Sequence, residues 1–216
     1  MSDSRPGVAD LLGVLAYAEL TAFLRLAEEA ARHAPTLTDR AALGELAAAE
    51  YAHFRLLRDR LASMGADPEE AMAPFVAALD GWHERTAPND WLEALVKAYV
   101  GTGIALDFYR EAAAHVDAGT RSLVEEVLAD EGRCQFAVDR VGAALEKDPA
   151  LGGRLALWSR RMVGEALSQA RRVAEARPEL AVLLVSADGE DVTRMFNRLT
   201  EAHGRRMAAL GLTPGP

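Results

Sequence analysis

The sequence predicts an all-α fold: a four-helix bundle made of two long hairpins joined by a crossover, with two additional helices at the C-terminal end. Three observations predict it. No stretch alternates apolar and polar residues with the two-residue period of a strand. Apolar residues instead recur at helical spacing over segments of twenty residues or more, among them Val8, Leu12, Leu15, Ala22 and Leu26. Helix punctuation also falls between these segments, at Pro35-Thr36, Gly65, Asn89-Asp90 and Asp117-Ala118-Gly119.

Taken in order, the first helix runs from about Val8 to His33, and Pro35 breaks it. Thr38 or Asp39 caps the second, which continues to about Met64 and stops at Gly65. Asp67-Pro68-Glu69-Glu70 starts a short helix: a cap, a proline at the first position, then acids at the positive end of the helix dipole. Pro74 interrupts it, and Asp67 to Ala87 reads as the connection crossing between hairpins. The third long helix spans about Trp91–His115, capped by Asn89 or Asp90, and the fourth about Thr120–Lys147. Two further helices cover about Pro149–Arg177 and Asp188–Leu210. The hairpins therefore occupy about residues 8–65 and 90–147, the extra helices about 149–210, and residues 1–216 form a single domain, as the length allows.

Composition narrows the function classes. Half of the residues are apolar and the net charge is −9, which argues against general nucleic-acid binding. The charge is uneven: residues 151–216 hold 10 arginines and 7 acids, a net of +3, against −12 over the first 150 residues. One cysteine, Cys134, permits no intramolecular disulfide, and a cytoplasmic, bacterial protein is expected. No signal peptide or membrane span is visible, and no membrane partner is expected.

The chemistry centres on Glu50-Tyr51-Ala52-His53 in the second helix. Residues at i and i+3 share a helix face, and this face also carries Leu43, Leu46, Leu57 and Leu61, so both polar groups point inward. A metal ion compensates a buried carboxylate beside an imidazole. Glu19 interrupts the apolar stripe of the first helix. It precedes the first turn by about as many residues as Glu50 follows it, so both sit roughly 23 Å from that turn. By the same test Asp107 and Asp130 sit at one level of the second hairpin, roughly 17 Å from its turn. Buried together without a cation, such carboxylates raise one another's pKa values. Hard oxygen ligands with an imidazole favour iron or manganese over zinc.

At these residues the chain resembles the ferritin-like di-iron proteins, and among them the bacterial group similar to the tRNA hydroxylase acting on 2-methylthio-N6-isopentenyl-adenosine. The resemblance is carried by Leu11-Leu12-Gly13-Val14-Leu15-Ala16-Tyr17-Ala18-Glu19-Leu20, by Glu50 and His53, by Lys97-Ala98-Tyr99-Val100-Gly101, and by Gly164-Glu165-Ala166-Leu167-Ser168. It implies a ferritin-like four-helix bundle, two iron ions and a dioxygen-dependent tRNA-modifying hydroxylase, an iron-dependent monooxygenase needing an electron donor. The metal ligands it implies are Glu19, Glu50, His53, Asp107 and Asp130. An apolar pocket beside the third and fourth helices, given room by Gly101 and Gly103, would receive an alkyl group.

The family pattern asks for a second acid–x–x–His in the fourth helix, and that helix contains no histidine. Two registers stay open. In the preferred one Asp130 is the carboxylate and Arg133 stands in the histidine's place; in the other Glu131 pairs with Cys134. An inward Arg133 would neutralise carboxylates and replace a metal, leaving one iron at Glu19, Glu50 and His53, or none. The alternative to an enzyme is a non-catalytic helical binding or assembly protein that has lost one or both metals. Arg160, Arg161, Arg171, Arg172, Arg205 and Arg206 on the last two helices could meet RNA or an acidic partner. Helix-rich chains of this size often form homodimers, and a homodimer is among the expected assemblies. His203 is expected at the surface, and Trp82, Trp91 and Trp158 in the core.

Overall fold

The computed structural model describes residues 7–113, 116–128, 135–184 and 192–212. Among the described residues the regular structure is entirely helical. Helix α1 (Val8–His33) and α2 (Leu37–Ser63) form the first hairpin. A short α3 (Pro68–Met72), one 3-10 turn (Ala73–Phe75) and α4 (Val76–Arg85) make the crossover. Helix α5 (Trp91–Ala113) is followed by α6 (Ala118–Leu128) and α7 (Gln135–Lys147). The C-terminal part consists of α8 (Leu151–Ala176), α9 (Pro178–Leu184) and α10 (Val192–Ala209). The short α9 was not anticipated: Pro178 restarts a helix one residue after α8 ends, and Leu180 buries itself against the first hairpin.

Helix boundaries follow from local chemistry. The first turn of α2 is capped by Thr36 rather than by the expected Thr38 or Asp39: Thr36 Oγ1 accepts from the Asp39 amide at 3.1 Å and donates to Asp39 Oδ2 at 2.7 Å. This leaves Asp39 Oδ1 to take Arg140 Nε of α7 at 2.7 Å, which fastens the start of α2 to the second hairpin. At its other end Gly65 adopts φ 79°, the left-handed conformation that closes a helix without a Cβ penalty. Asp90 caps α5 by accepting from the Glu93 amide at 2.9 Å, while Glu93 reaches back to the Asn89 amide at 2.9 Å. Arg154 then binds both acids, at 2.7 Å and 2.6 Å, and ties α8 to this cap.

Three apolar clusters organise the packing. One joins the first half of α1, the second half of α2, the crossover, the C-terminal half of α5 and α6, through Leu11, Leu15, Leu57, Leu61, Phe75, Tyr109 and Val127. A second joins the N-terminal half of α5 to α7, α8 and α10, through Leu95, Val100, Val141, Met162 and Met207. A third, with Leu26, Ala30, Leu43, Leu46 and Ala98, fills the turn end of the first hairpin. Helix α5 is thus covered on two sides. The C-terminal helices build a core of their own on it.

Candidate metal centre

The candidate site lies in the seam of α1 and α2, where the first cluster gives way to the third. On α1 the flanking apolar residues are Leu15 and Ala16 on one side and Leu26 on the other; on α2 they are Phe54 and Leu57, and Leu46 and Ala47. Both helices change from apolar to ionisable at this level. The hairpin therefore sets Glu19 opposite Glu50, and the i,i+3 spacing puts His53 beside them.

Donor atoms of Glu19, Glu50 and His53 all lie within 4.8 Å of one another. His53 Nδ1 is 3.4 Å from Glu19 Oε2 and 3.7 Å from Glu50 Oε2. The Glu19 side chain is 6 % exposed, that of Glu50 12 % and that of His53 13 %. Glu19 Oε2 is fully buried and has no hydrogen-bond partner, with the His53 imidazole nitrogen 3.4 Å away.

The electrostatics follow from that burial. Glu19 is held well above the usual carboxylate range, first by burial and then by the adjacent Glu50 carboxyl, with His53 offsetting part of the effect. Burial pulls the His53 pKa down, but the two carboxylates outweigh it and carry it up to about 10. Tyr109 of α5 feels the same pair: burial, then the charges of Glu19 and Glu50, push its phenol well above the ordinary value. An orphaned carboxylate oxygen, a second carboxylate and an imidazole converging on one buried point fit a hard divalent or trivalent cation. Such an ion would satisfy the oxygen and relieve the repulsion between the two acids.

The other expected ligands are distributed differently. Asp107 does not join the group: α5 turns it toward α10, where it accepts from Arg206 and, at 2.9 Å, from Arg110. Asp130, Glu131, Arg133 and Cys134 lie outside the described residues. Gly101 and Gly103 do not open a pocket. A Cβ on Gly101 would stand 3.0 Å from the Trp82 ring, and one on Gly103 would run into the Arg206 side chain, so each glycine admits a neighbour. Arg206 is correspondingly drawn off the surface, whereas Arg160, Arg161, Arg171, Arg172 and Arg205 remain exposed. His203 is half-buried, with Nδ1 enclosed and without a hydrogen-bond partner, and burial lowers its pKa; the expected surface position is not what the structure shows. Trp158 is buried as expected, and Trp82 and Trp91 are half-buried against the second cluster.

Tyr109 was missed by sequence reasoning, as was a second buried polar group. Lys97 Nζ donates to the carbonyl oxygens of Thr86, at 2.8 Å, and His83, at 3.4 Å, and lies 5.0 Å from the centre of the Trp82 ring. It satisfies the carbonyls that end α4 and so locks the crossover to α5. The available signal was a lysine nearly two turns into an apolar helix face, in a chain with only two lysines.

A helical bundle whose two hairpins are joined by one crossover, with a carboxylate–carboxylate–histidine group between two of its long helices, is the architecture of ferritin-like proteins. Residues 3–187 match the family described as "Ferritin-like domain, actinomycetes", and the chain belongs to that family. A solved structure, a Synechococcus protein with aldehyde deformylating oxidase activity, is similar in fold. It shares 18 % sequence identity, the match covers 99 % of this chain and 94 % of that one, and the TM-score is 0.74. No curated protein matches the chain in sequence.

Proposed function

We propose that this protein is an iron-dependent, dioxygen-using oxidase or hydroxylase whose metal is held by Glu19, Glu50 and His53. The observation that carries this reading is the Glu19 carboxylate, buried with an orphaned oxygen opposite Glu50 and His53. Bound there, iron would supply dioxygen activation, which side chains alone cannot perform. The residues supply the rest. Glu19 and Glu50 provide anionic oxygen ligands from two different helices, so the α1–α2 seam fixes their spacing. His53 provides a nitrogen ligand once its proton leaves. Packed apolar residues on both sides of the group keep bulk water from competing for the ion.

The experiment is reconstitution with ferrous iron, followed by iron analysis and dioxygen-uptake measurements with wild type and Glu19→Gln. The reading expects iron retained by wild type, lost in the variant, and oxygen uptake that depends on a reductant. Wild type that retains no iron would sink it. Within this reading, hydroxylation of an alkyl group on a modified tRNA base is the particular activity suggested by the sequence resemblance. Its support is the exposed basic side of α8, with Arg160, Arg161, Arg171 and Arg172. Binding of tRNA there would weaken steeply with added salt, and binding that is absent or salt-insensitive would count against it.

One observation favours a reduced site. Asp107, placed by level with the second half of a two-ion centre, is instead neutralised by Arg206 and Arg110. A single bound iron per chain is the outcome this favours; a non-catalytic protein that lost both metals would bind none.

A further inference from the structure

Helix α2 packs against α1 on one side and α6 on another, and it leaves a further face to solvent along its length. On that face Ala41, Glu45, Ala48, Ala52, Arg55 and Asp59 follow one another at alternating spacings of four and three residues, and all six are exposed. Large apolar side chains border it. Leu37, at the start of α2, is 81 % exposed, Tyr51 40 % and, on the neighbouring α1, Leu24 55 %. The Tyr51 ring lies 5.0 Å from that of Phe23, the residue before Leu24, so the apolar surface continues from α2 onto α1. Exposed apolar surface of this kind marks an interaction site.

The charges on the face are self-complementary. Asp59 is already paired with Arg58 at 2.7 Å, whereas no ion pair among the described residues engages Glu45 or Arg55. Glu45 and Arg55 stand five residues to either side of Glu50, and Ala48 and Ala52 stand two to either side. The two pairs thus share one midpoint. Two copies of α2 laid antiparallel about a two-fold axis at that level bring each Glu45 opposite the partner's Arg55, roughly 7.5 Å from the axis, and each Ala48 opposite the partner's Ala52. The same axis sets Leu37 over the last turn of the partner's α2, where Ala62 is exposed. Short side chains at the crossing let the two helices approach closely.

We propose that the outer face of α2 is a homodimer interface, with two copies of this chain packing α2 on α2 antiparallel about a two-fold axis level with Glu50. The proposal is independent of metal binding. Glu50 and His53 point inward from the same turns of α2, so the two candidate metal groups of the dimer stand back to back across the interface.

The test measures the solution mass of the full chain by sedimentation equilibrium over a range of concentrations. Wild type is expected at twice the 23.2 kDa of one chain. Glu45→Arg sets like positive charges against each other at both symmetry-related contacts, and Arg55→Glu sets like negative charges there. Each is expected to weaken self-association by about tenfold or more. An equimolar mixture of the two variants regains an opposite-charge contact at both places in a mixed pair. It is therefore expected to recover the dimer mass, as is the double variant Glu45→Arg/Arg55→Glu. Both positions are exposed, so the variants are expected to keep the helical circular dichroism of wild type. Wild type that stays monomeric at every concentration overturns the proposal and leaves the face to a different occupant. A dimer that survives both reversals uses another surface and overturns it too, as does a mixture no more associated than its two components.

Discussion

Arg206 of α10 reaches Asp107 of α5 across the space left by Gly103, one turn earlier on the same face of α5. The arginine side chain is 14 % exposed and the aspartate 8 %, so this is an enclosed ion pair, reinforced by Arg110 at 2.9 Å. Removing one partner of such a pair strands the other without compensation. Asp107→Ala is therefore expected to lower unfolding stability by about 3 kcal/mol. Iron content per folded chain should stay at the wild-type level. Chemical denaturation and metal analysis on one preparation check both halves; loss of iron at unchanged stability would instead mark Asp107 as a ligand.

That pair also shows where the sequence was legible and where it was not. Level along a hairpin can be counted from its turn, and it correctly set Glu19 opposite Glu50. Direction around a helix is legible only when one side is apolar. Helix α5 is apolar on two sides, because the first hairpin covers one and α8 and α10 cover the other. Asp107 does share a face with Val96, Val100 and Gly103, but that face belongs to the second core. Tyr109 was hidden for a related reason: an aromatic residue in an apolar helix reads as packing until the carboxylates beside it are known. Caps were more readable, since Asp67 and Asp90 act as their dipeptide context suggests. At the start of α2 two neighbouring candidates were favoured over Thr36, which the non-local pull of Arg140 on Asp39 leaves as the cap.

Glu19 should be a burden to the metal-free protein. At neutral pH it is ionised in the unfolded chain, while burial and Glu50 resist its ionisation in the folded one. Glu19→Gln is expected to stabilise the metal-free protein by about 1 kcal/mol, a rise in Tm of about 3 °C. With manganese(II) or iron(II) added the order should reverse. Wild type should gain about 2.7 kcal/mol at about a hundredfold excess of ion over Kd, and the variant nothing. Thermal melts with and without metal decide this, and equal metal responses would contradict the site.

The Thr36–Asp39–Arg140 chain predicts a coupling between a helix cap and a tertiary contact. Thr36→Ala removes the acceptor for the Asp39 amide and the donor to Asp39 Oδ2, and is expected to cost about 1 kcal/mol. Thr36→Ser should restore most of that loss. Because Asp39 is shared, the Thr36→Ala and Arg140→Ala effects should fail to add by about 0.5 kcal/mol or more in a double-mutant cycle. Strict additivity would show that cap and contact act independently.

His83 sets an acid limit on the crossover. Burial first, then the positive charges of Lys97 and Arg25, lower its pKa from 6.5 to about 3, and its Nδ1 is enclosed without a partner. The folded protein thus keeps His83 neutral where the unfolded chain binds a proton. The sign follows: its contribution is complete above about pH 6.5 and is lost progressively as pH falls toward 3. Within that window stability should decline by up to about 1.4 kcal/mol per pH unit from this group alone. His83→Gln removes the titration, so the difference in urea midpoint between wild type and variant should narrow steadily from pH 7 to pH 4.5. A difference constant over that range would mean that His83 titrates alike in the folded and unfolded chains, and that the end of α4 is open to water.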